Sequence, residues 1–168
     1  MLEIVRIPEE RKAVLIGKNG TLKKEIEKKA KVKIVILADV EIEGGTLDVL
    51  KAAEIVKAIG RGFNPKIALL LLGEEYELCI ITLHERGKPL KRIVARIIGT
   101  KGRTRNNIEE WTGAHVSVYG KTVGIIGKHD DVVSAENALE LLIEGKSHSY
   151  VYGRMRKAKK FNVDNFLI

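Results

Sequence analysis

The sequence predicts an α+β protein made of two consecutive domains, each with the element order βααββα. Sliding the 168-residue chain along itself by 82 residues places ten identical pairs within residues 11–60 without a gap, which reveals an internal repeat. In each copy, segments with apolar residues every third or fourth position alternate with segments in which every second residue is apolar. Both copies also contain Gly-x-x-Gly between two helical segments, at residues 17–20 and 99–102. One small fold has therefore been duplicated.

The elements of the first copy follow from its local patterns. Leu22, Ile26 and Ala30 lie on one face of a helix, whereas Lys-Val-Lys-Ile at 31–34 alternates as a half-buried strand does. The pattern predicts strands at 2–7, 31–36 and 40–43 and helices at 9–16, 21–30 and 46–59. The second copy repeats this order, with strands at 76–83, 115–119 and 122–126 and helices at 89–98, 103–112 and 130–144.

The domain limits follow from the repeat. We predict a first domain at residues 1–66, a second at 67–147 and a basic C-terminal extension at 148–168. Between the copies lies an apolar run at 67–72, which would promote aggregation if it belonged to a free linker. We expect it to pack as an extra strand or as a contact between the domains.

The composition excludes several classes of protein. There is one cysteine, so an internal disulfide and a cysteine-based zinc site are excluded, and the four histidines show no ligand spacing. No Ser/His/Asp set is evident, so we expect no enzyme, no metal and no cofactor. No apolar stretch is long enough to span a membrane, and the N-terminus lacks a signal-peptide pattern. These features predict a cytoplasmic protein.

The Gly-x-x-Gly loops are candidate phosphate-binding sites. Glycines let the backbone reverse between two helices and let a phosphodiester approach the main chain, while the next helix presents free N–H groups. A turn between helices with no ligand would also produce one such motif, but two copies in register are a stronger signal. The candidate residues are Gly17, Lys18, Asn19 and Gly20 in the first loop and Gly99, Thr100, Lys101 and Gly102 in the second.

Nearly all the excess positive charge lies in the second half. The chain has 30 basic and 22 acidic residues, and residues 88–168 hold 15 of the basic residues but only eight acidic ones. Seven basic residues and no acidic residue occur at 88–105, around the second loop. We expect Arg92, Arg96, Arg103 and Arg105 to hold a nucleic-acid backbone there. Beside them, Ile98, Ile108 and Val116 are candidates for a groove floor under unpaired bases, or for plain core.

Two further features have two interpretations each. The C-terminal extension interleaves Tyr150 and Tyr152 with arginines and lysines, which suits base stacking and phosphate binding but also a basic helix packed on the second domain. Trp111 is either a core residue, which we favour, or a stacking platform.

The loops and the repeat resemble the tandem KH-domain proteins, in which a Gly-x-x-Gly loop clamps about four nucleotides. More narrowly, the chain resembles the archaeal counterpart of the ribosome-assembly factor called partner of Nob, or Dim. The residues that carry this likeness are Gly-Phe-Asn-Pro at 62–65 leading into Ala-Leu-Leu at 68–70, and Arg-Ile-Val-Ala-Arg-Ile-Ile-Gly-Thr-Lys-Gly-Arg-Thr-Arg at 92–105. Ile-Glu-Glu at 108–110 and Tyr-Gly-Arg-Met-Arg at 152–156 extend it. The first loop is degenerate in the family's eukaryotic members, whereas both of its glycines are present here.

The resemblance implies a function and partners. It implies binding of single-stranded RNA, specifically the 3′ region of small-subunit ribosomal RNA during ribosome assembly. It also implies partnership with the endonuclease that trims that end and contact with the alpha subunit of initiation factor two. The alternatives are a general KH-domain regulator of mRNA and an adaptor whose KH folds bind protein.

Overall fold

A computed structural model describes residues 1–83 and 87–166, with side chains described up to residue 160. Every predicted helix and strand is present, with ends within two residues of the predicted ones, so the α+β class and the repeated βααββα order are confirmed. The elements of the first copy are β1 (Leu2–Val5), α1 (Glu9–Ile16), α2 (Thr21–Ala30), β2 (Val32–Ile36), β3 (Val40–Gly44) and α3 (Thr46–Gly60).

Two short helical segments and the second copy complete the described chain. They are α4 (Pro65–Ala68), a 3₁₀ turn (Leu69–Leu72), β4 (Tyr76–Thr82), α5 (Leu90–Ile98), α6 (Arg103–Thr112), β5 (His115–Tyr119), β6 (Thr122–Lys128), α7 (His129–Glu144) and α8 (His148–Phe166). Single 3₁₀ turns, Lys18–Gly20 and Thr100–Gly102, connect α1 to α2 and α5 to α6. Among the described helices, none is long and apolar enough to cross a membrane.

Each copy forms a three-stranded sheet with its last strand in the middle. The strand orders are β1-β3-β2 and β4-β6-β5. In the first sheet, Ile42 of β3 lies opposite Ile34 of β2 in an antiparallel pair, and both side chains are buried. In the second sheet, Val116 of β5 lies opposite Ile125 of β6, and both are buried as well. Alternation of side chains along the strands thus gives each sheet one face that packs against its helices.

The apolar run after α3 forms helix, which contradicts the first of its two predicted alternatives, an extra strand. Asn64 Oδ1 accepts a hydrogen bond from the N–H of Lys66 at 2.9 Å, and Pro65 occupies the first helical position. This is a standard helix start, because an asparagine N-cap and a proline at N1 both favour helix. Ala68 and Leu71 are buried, and the segment packs on α3 of its own unit.

The compact units divide between Leu78 and Cys79, twelve residues beyond the predicted limit of the first domain. The helical segment at 65–72 packs on α3 and so belongs to the first unit, whereas the division itself falls within β4, a strand of the second sheet. At the other end, the predicted extension belongs to the second unit as α8, although residues 167 and 168 lie outside the described range. Val151 and Met155 of α8 are buried in the core of the second unit, which favours the packed-helix interpretation.

Candidate nucleic-acid interface

Both Gly-x-x-Gly loops have the same backbone conformation. The first glycine has φ 73° and ψ −177° in one loop and φ 72° and ψ 178° in the other. This region of dihedral space is open only to glycine. A Cβ on Gly17 would lie 2.6 Å from Cβ of Leu22, and a Cβ on Gly99 would lie 2.9 Å from the backbone nitrogen of Thr104. The first glycine is therefore required both by its dihedral angles and by close packing against the next helix.

The third residue of each loop has a left-handed backbone. Asn19 has φ 56° and ψ 28°, and Lys101 has φ 55° and ψ 30°. Residues other than glycine rarely take this conformation. Its presence at both positions shows that the two loops share one backbone conformation in detail. Both side chains are exposed, and a Cβ on the final glycine of either loop would meet no atom within 4 Å. The outer side of each loop is open to a ligand.

Each loop ends at the N-terminus of the next helix. Gly20 is the N-cap of α2 and Gly102 is the N-cap of α6, and neither helix has a side-chain hydrogen bond at this cap. The N–H groups of a first turn have no partner within their helix, and they carry a partial positive charge. Each loop thus combines an approachable backbone with a helix start that suits an anion such as phosphate.

The charge around the two loops differs. Near the first loop, Lys23 pairs with Glu27 at 3.3 Å and Lys29 with Glu25 at 2.7 Å, which compensates two of the four lysines of α2. Around the second loop, the basic side chains Arg92, Lys101 and Arg103 are exposed, and Arg105 is half-buried. The second loop therefore offers the stronger attraction for a polyanion.

Arg96, which we predict to contact a nucleic-acid backbone, also donates hydrogen bonds within the protein. Its Nε donates to the carbonyl of Leu142 at 3.1 Å and its Nη2 donates to the carbonyl of Lys146. Lys88 supports the same helix end, with Nζ 3.0 Å from the carbonyl of Glu144. Cations at a helix C-terminus satisfy its last carbonyls and oppose its dipole. Two of the guanidinium nitrogens of Arg96 are thus bound to the end of α7, which leaves fewer of its N–H groups for a phosphate; its contact with RNA stays a prediction.

This assignment predicts different effects for two neighbouring arginines. We expect Arg96→Met to lower the free energy of unfolding by about 1–2 kcal/mol, because it removes charge-assisted bonds to the end of α7. Arg92→Met, at an exposed position on the same helix, should change stability by less than about 0.5 kcal/mol. Urea titrations of the two variants measure this difference, and equal stability would contradict the role assigned to Arg96.

The predicted groove floor is largely core. Ile108 is 0% exposed and Val116 is 2% exposed, and both belong to the hydrophobic core of the second unit. Ile98, at the end of α5, is only half-buried. Of these three candidates, only Ile98 therefore has side-chain surface that an RNA base can reach.

A glutamate in each repeat ties the helix after the loop to the neighbouring strand. Oε1 of Glu27 accepts a hydrogen bond from the N–H of Ile34 at 2.7 Å, and Oε1 of Glu109 accepts one from the N–H of Val116 at 2.8 Å. Our sequence analysis did not assign this role, although the two glutamates are an identical pair in the repeat. The tether fixes α2 and α6 relative to β2 and β5, and so it positions the loops.

Trp111 lies beneath two cations of α8. It packs against the core of the second unit, and its ring lies 5.8 Å from the guanidinium of Arg156 and 5.2 Å from Nζ of Lys159. These cation–π contacts occupy the ring that a base would need. The structure favours the core interpretation of Trp111.

Comparison with known proteins agrees with this geometry. Residues 78–160 match the model for the second KH domain of PNO1, described as a eukaryotic type (type I) KH domain, and residues 2–58 match the KH domain model. A KH domain-containing protein of Methanocaldococcus jannaschii is 45% identical over 95% of this chain and 74% of its own length. The pre-rRNA-processing protein pno1 of Aspergillus fumigatus is 32% identical over 81% of this chain, which spans 56% of that protein's length.

A solved structure is similar over nearly the whole chain. The crystal structure of the a/eIF2alpha-aDim2p-rRNA complex from Pyrococcus horikoshii OT3 contains a chain that is 49% identical, with a TM-score of 0.90 and coverage of 95% of this chain and 94% of that one. The KH and pre-rRNA-processing proteins matched are of a non-catalytic kind. The chain belongs to the family of tandem KH-domain ribosome-assembly proteins that includes pno1 and aDim2p.

Proposed function

We propose that the protein binds single-stranded RNA without catalysing a reaction, and that its second Gly-x-x-Gly loop is the main contact. The observation that carries this proposal is the pair of loops with one backbone conformation, of which the second carries the exposed Lys101 and is flanked by the exposed Arg92 and Arg103. Thr100 and Lys101 approach the phosphates together with the first N–H groups of α6. Arg92, Arg103 and Arg105 then add affinity that carries little sequence information.

The RNA is the 3′ region of small-subunit ribosomal RNA during ribosome assembly, and the protein acts in the cytoplasm. Two relatives support this choice of RNA: the Aspergillus fumigatus protein is named for pre-rRNA processing, and the Pyrococcus horikoshii complex contains rRNA. The same complex contains a/eIF2alpha, which supports the alpha subunit of initiation factor two as a protein partner. The endonuclease that trims the 3′ end is a further proposed partner.

The first loop takes part as a second, weaker contact. Gly17, Lys18, Asn19 and Gly20 form a loop of the same shape, with exposed side chains at its two central positions. Two of the four lysines of α2, the helix that follows this loop, are in ion pairs with glutamates, whereas α6 after the second loop begins with Arg103 and has no acidic residue in its first turn. Its contribution to affinity therefore comes mainly from backbone N–H groups and Lys18, and it should depend less on salt.

Unpaired RNA should bind more tightly than a duplex of the same sequence. A base that leaves the strand can lie beside the loop against Ile98, whereas a paired A-form helix keeps its base edges in a deep, narrow groove. The affinities for unpaired and duplex RNA should be compared near physiological ionic strength, where attraction between exposed charges is screened beyond about 8 Å.

Fluorescence anisotropy with a labelled strand, alone and annealed to its complement, measures this preference. Equal affinity for both forms would show that the basic surface acts only as a general binder of polyanions. An adaptor that binds protein through its KH folds would instead show no steep loss of RNA affinity with added salt.

A further inference from the structure

An open cleft of about 460 Å³ lies beside the second loop, on the side covered by α8. Its volume falls in the range of about 300–1,000 Å³ that small-molecule sites occupy. None of its nine lining residues is acidic. They are Arg92, Ala95, Arg96, Gly99, Thr100, Arg103, Thr104, His148 and Tyr152.

The residues contributed by α5, the loop and α6 suit a phosphate. Arg92 and Arg103 are exposed arginines on the two helices that flank the loop, and both line the cleft. Ala95 and Gly99 also line it and are the two smallest of the nine residues, so a ligand can approach the helix backbone between the arginines. Arginine binds phosphate with two parallel N–H groups, which makes this pair a better phosphate site than isolated surface lysines.

The wall contributed by α8 suits a base. His148 and Tyr152 lie one helical turn apart, with ring centroids 6.3 Å apart and planes inclined at 57°. Each ring is held in place: Nε2 of His148 lies 3.1 Å from the carbonyl of Arg96, and the Tyr152 hydroxyl donates to Oγ1 of Thr104 at 3.4 Å. Val151 is 0% exposed, so α8 is anchored in the core beneath this wall. Aromatic rings beside arginines are the composition of a base-stacking site.

We propose that this cleft binds one further nucleotide of the RNA strand, next to the nucleotides clamped by the second loop. Its phosphate lies between Arg92 and Arg103, and its base stacks on Tyr152 beside His148. The proposal rests on the RNA-binding function proposed above and extends it to a site that needs α8. The first repeat supplies the matching alanine, Ala13, but the cleft wall comes from a helix that follows the second repeat.

Oligonucleotides of two lengths test the proposal. A tetranucleotide is long enough for one loop, since a KH loop clamps about four nucleotides, whereas an octanucleotide extends beyond it. Ala95→Leu fills the floor of the cleft at an exposed helical position, and Tyr152→Leu removes the aromatic face while keeping an apolar side chain at a half-buried site. Both variants should weaken octanucleotide binding about fivefold or more and leave tetranucleotide binding unchanged.

Two control variants separate stacking from other effects. Tyr152→Phe keeps the ring and should keep octanucleotide affinity, although it loses the hydroxyl contact with Thr104. Ala13→Leu makes the matched change at the exposed alanine of the first repeat and should have a smaller effect on octanucleotide binding than Ala95→Leu. The unfolding midpoint of each variant establishes that it is folded.

The outcomes distinguish this proposal from the proposed function. If the folded wild-type protein binds neither oligonucleotide, the RNA-binding function itself is wrong. Suppose instead that the wild type binds both oligonucleotides, while the variants lose affinity for the tetranucleotide and the octanucleotide by the same factor. In that case the substitutions act through the loop, and the cleft holds no nucleotide. If Ala95→Leu and Tyr152→Leu bind the octanucleotide as tightly as the wild type, the cleft proposal is overturned in the same way.

Discussion

Replacing Thr100 and Lys101 together with aspartate should weaken single-stranded RNA binding by roughly thirtyfold, and by far more than the same pair of changes at Lys18 and Asn19. Each double change alters the loop charge from +1 to −2, so the two variants are matched in charge. Three units of charge at about 6 Å from a phosphate correspond to about 2 kcal/mol in water. The difference between the variants thus reports how much each loop contacts the RNA.

The aspartates should leave the loops folded. The third residue of each loop has a left-handed backbone, a conformation that asparagine and aspartate tolerate better than most residues. All four side chains are exposed. Loss of RNA affinity with an unchanged unfolding midpoint would therefore report lost contact with RNA and not lost structure.

Anisotropy titrations at two salt concentrations complete the measurement. The variant of the second loop should also show a shallower dependence of affinity on salt, because fewer counterions are released when fewer phosphates are neutralised. Equal losses of affinity for the two folded variants would refute a dominant second loop.

Local signals made much of the fold predictable. Helices α1, α2 and α6 begin and end at the predicted residues, because a glycine of the loop marks one end of each and apolar spacing marks the buried face. The loop conformations follow from the same glycines. The strand alternative for the run at 67–72 was wrong because a run of leucines suits a buried strand or a helix equally well. The asparagine–proline pair before it was the signal for helix.

The role of individual site residues was less predictable, because it depends on distant partners. Arg96 looks like one more cation in a basic run, but the carbonyls that bind it lie 46 and 50 residues further along the chain. The helical pattern around Ile108 marks an apolar face without showing whether that face meets RNA or a sheet. The cleft wall formed by α8 depends on how Val151 and Met155 pack, and the sequence analysis had left the packing of this segment open.

Gly99→Ala should be among the most destabilising single substitutions in the second unit, lowering the free energy of unfolding by about 3 kcal/mol or more. Glycine alone adopts φ 72° with ψ 178° at low cost, and a new Cβ would lie 2.8 Å from Cβ and 2.9 Å from the backbone nitrogen of Thr104. Thr104 is 4% exposed and lies in the first turn of α6, whose Ile108 is in the core, so it cannot move without disturbing that packing.

Gly102→Ala is the matched control at the other end of the same loop. Its φ of 74° and ψ of 12° lie in the left-handed region, where alanine costs about 1–2 kcal/mol, and its Cβ would meet nothing within 4 Å. The single tryptophan of the chain, Trp111, packs against the core of the second unit, so its fluorescence during urea unfolding reports on that unit. We expect a clearly lower midpoint for Gly99→Ala than for Gly102→Ala. Equal midpoints would show that neither the dihedral angles of Gly99 nor its close approach to Thr104 costs more than the left-handed backbone of Gly102.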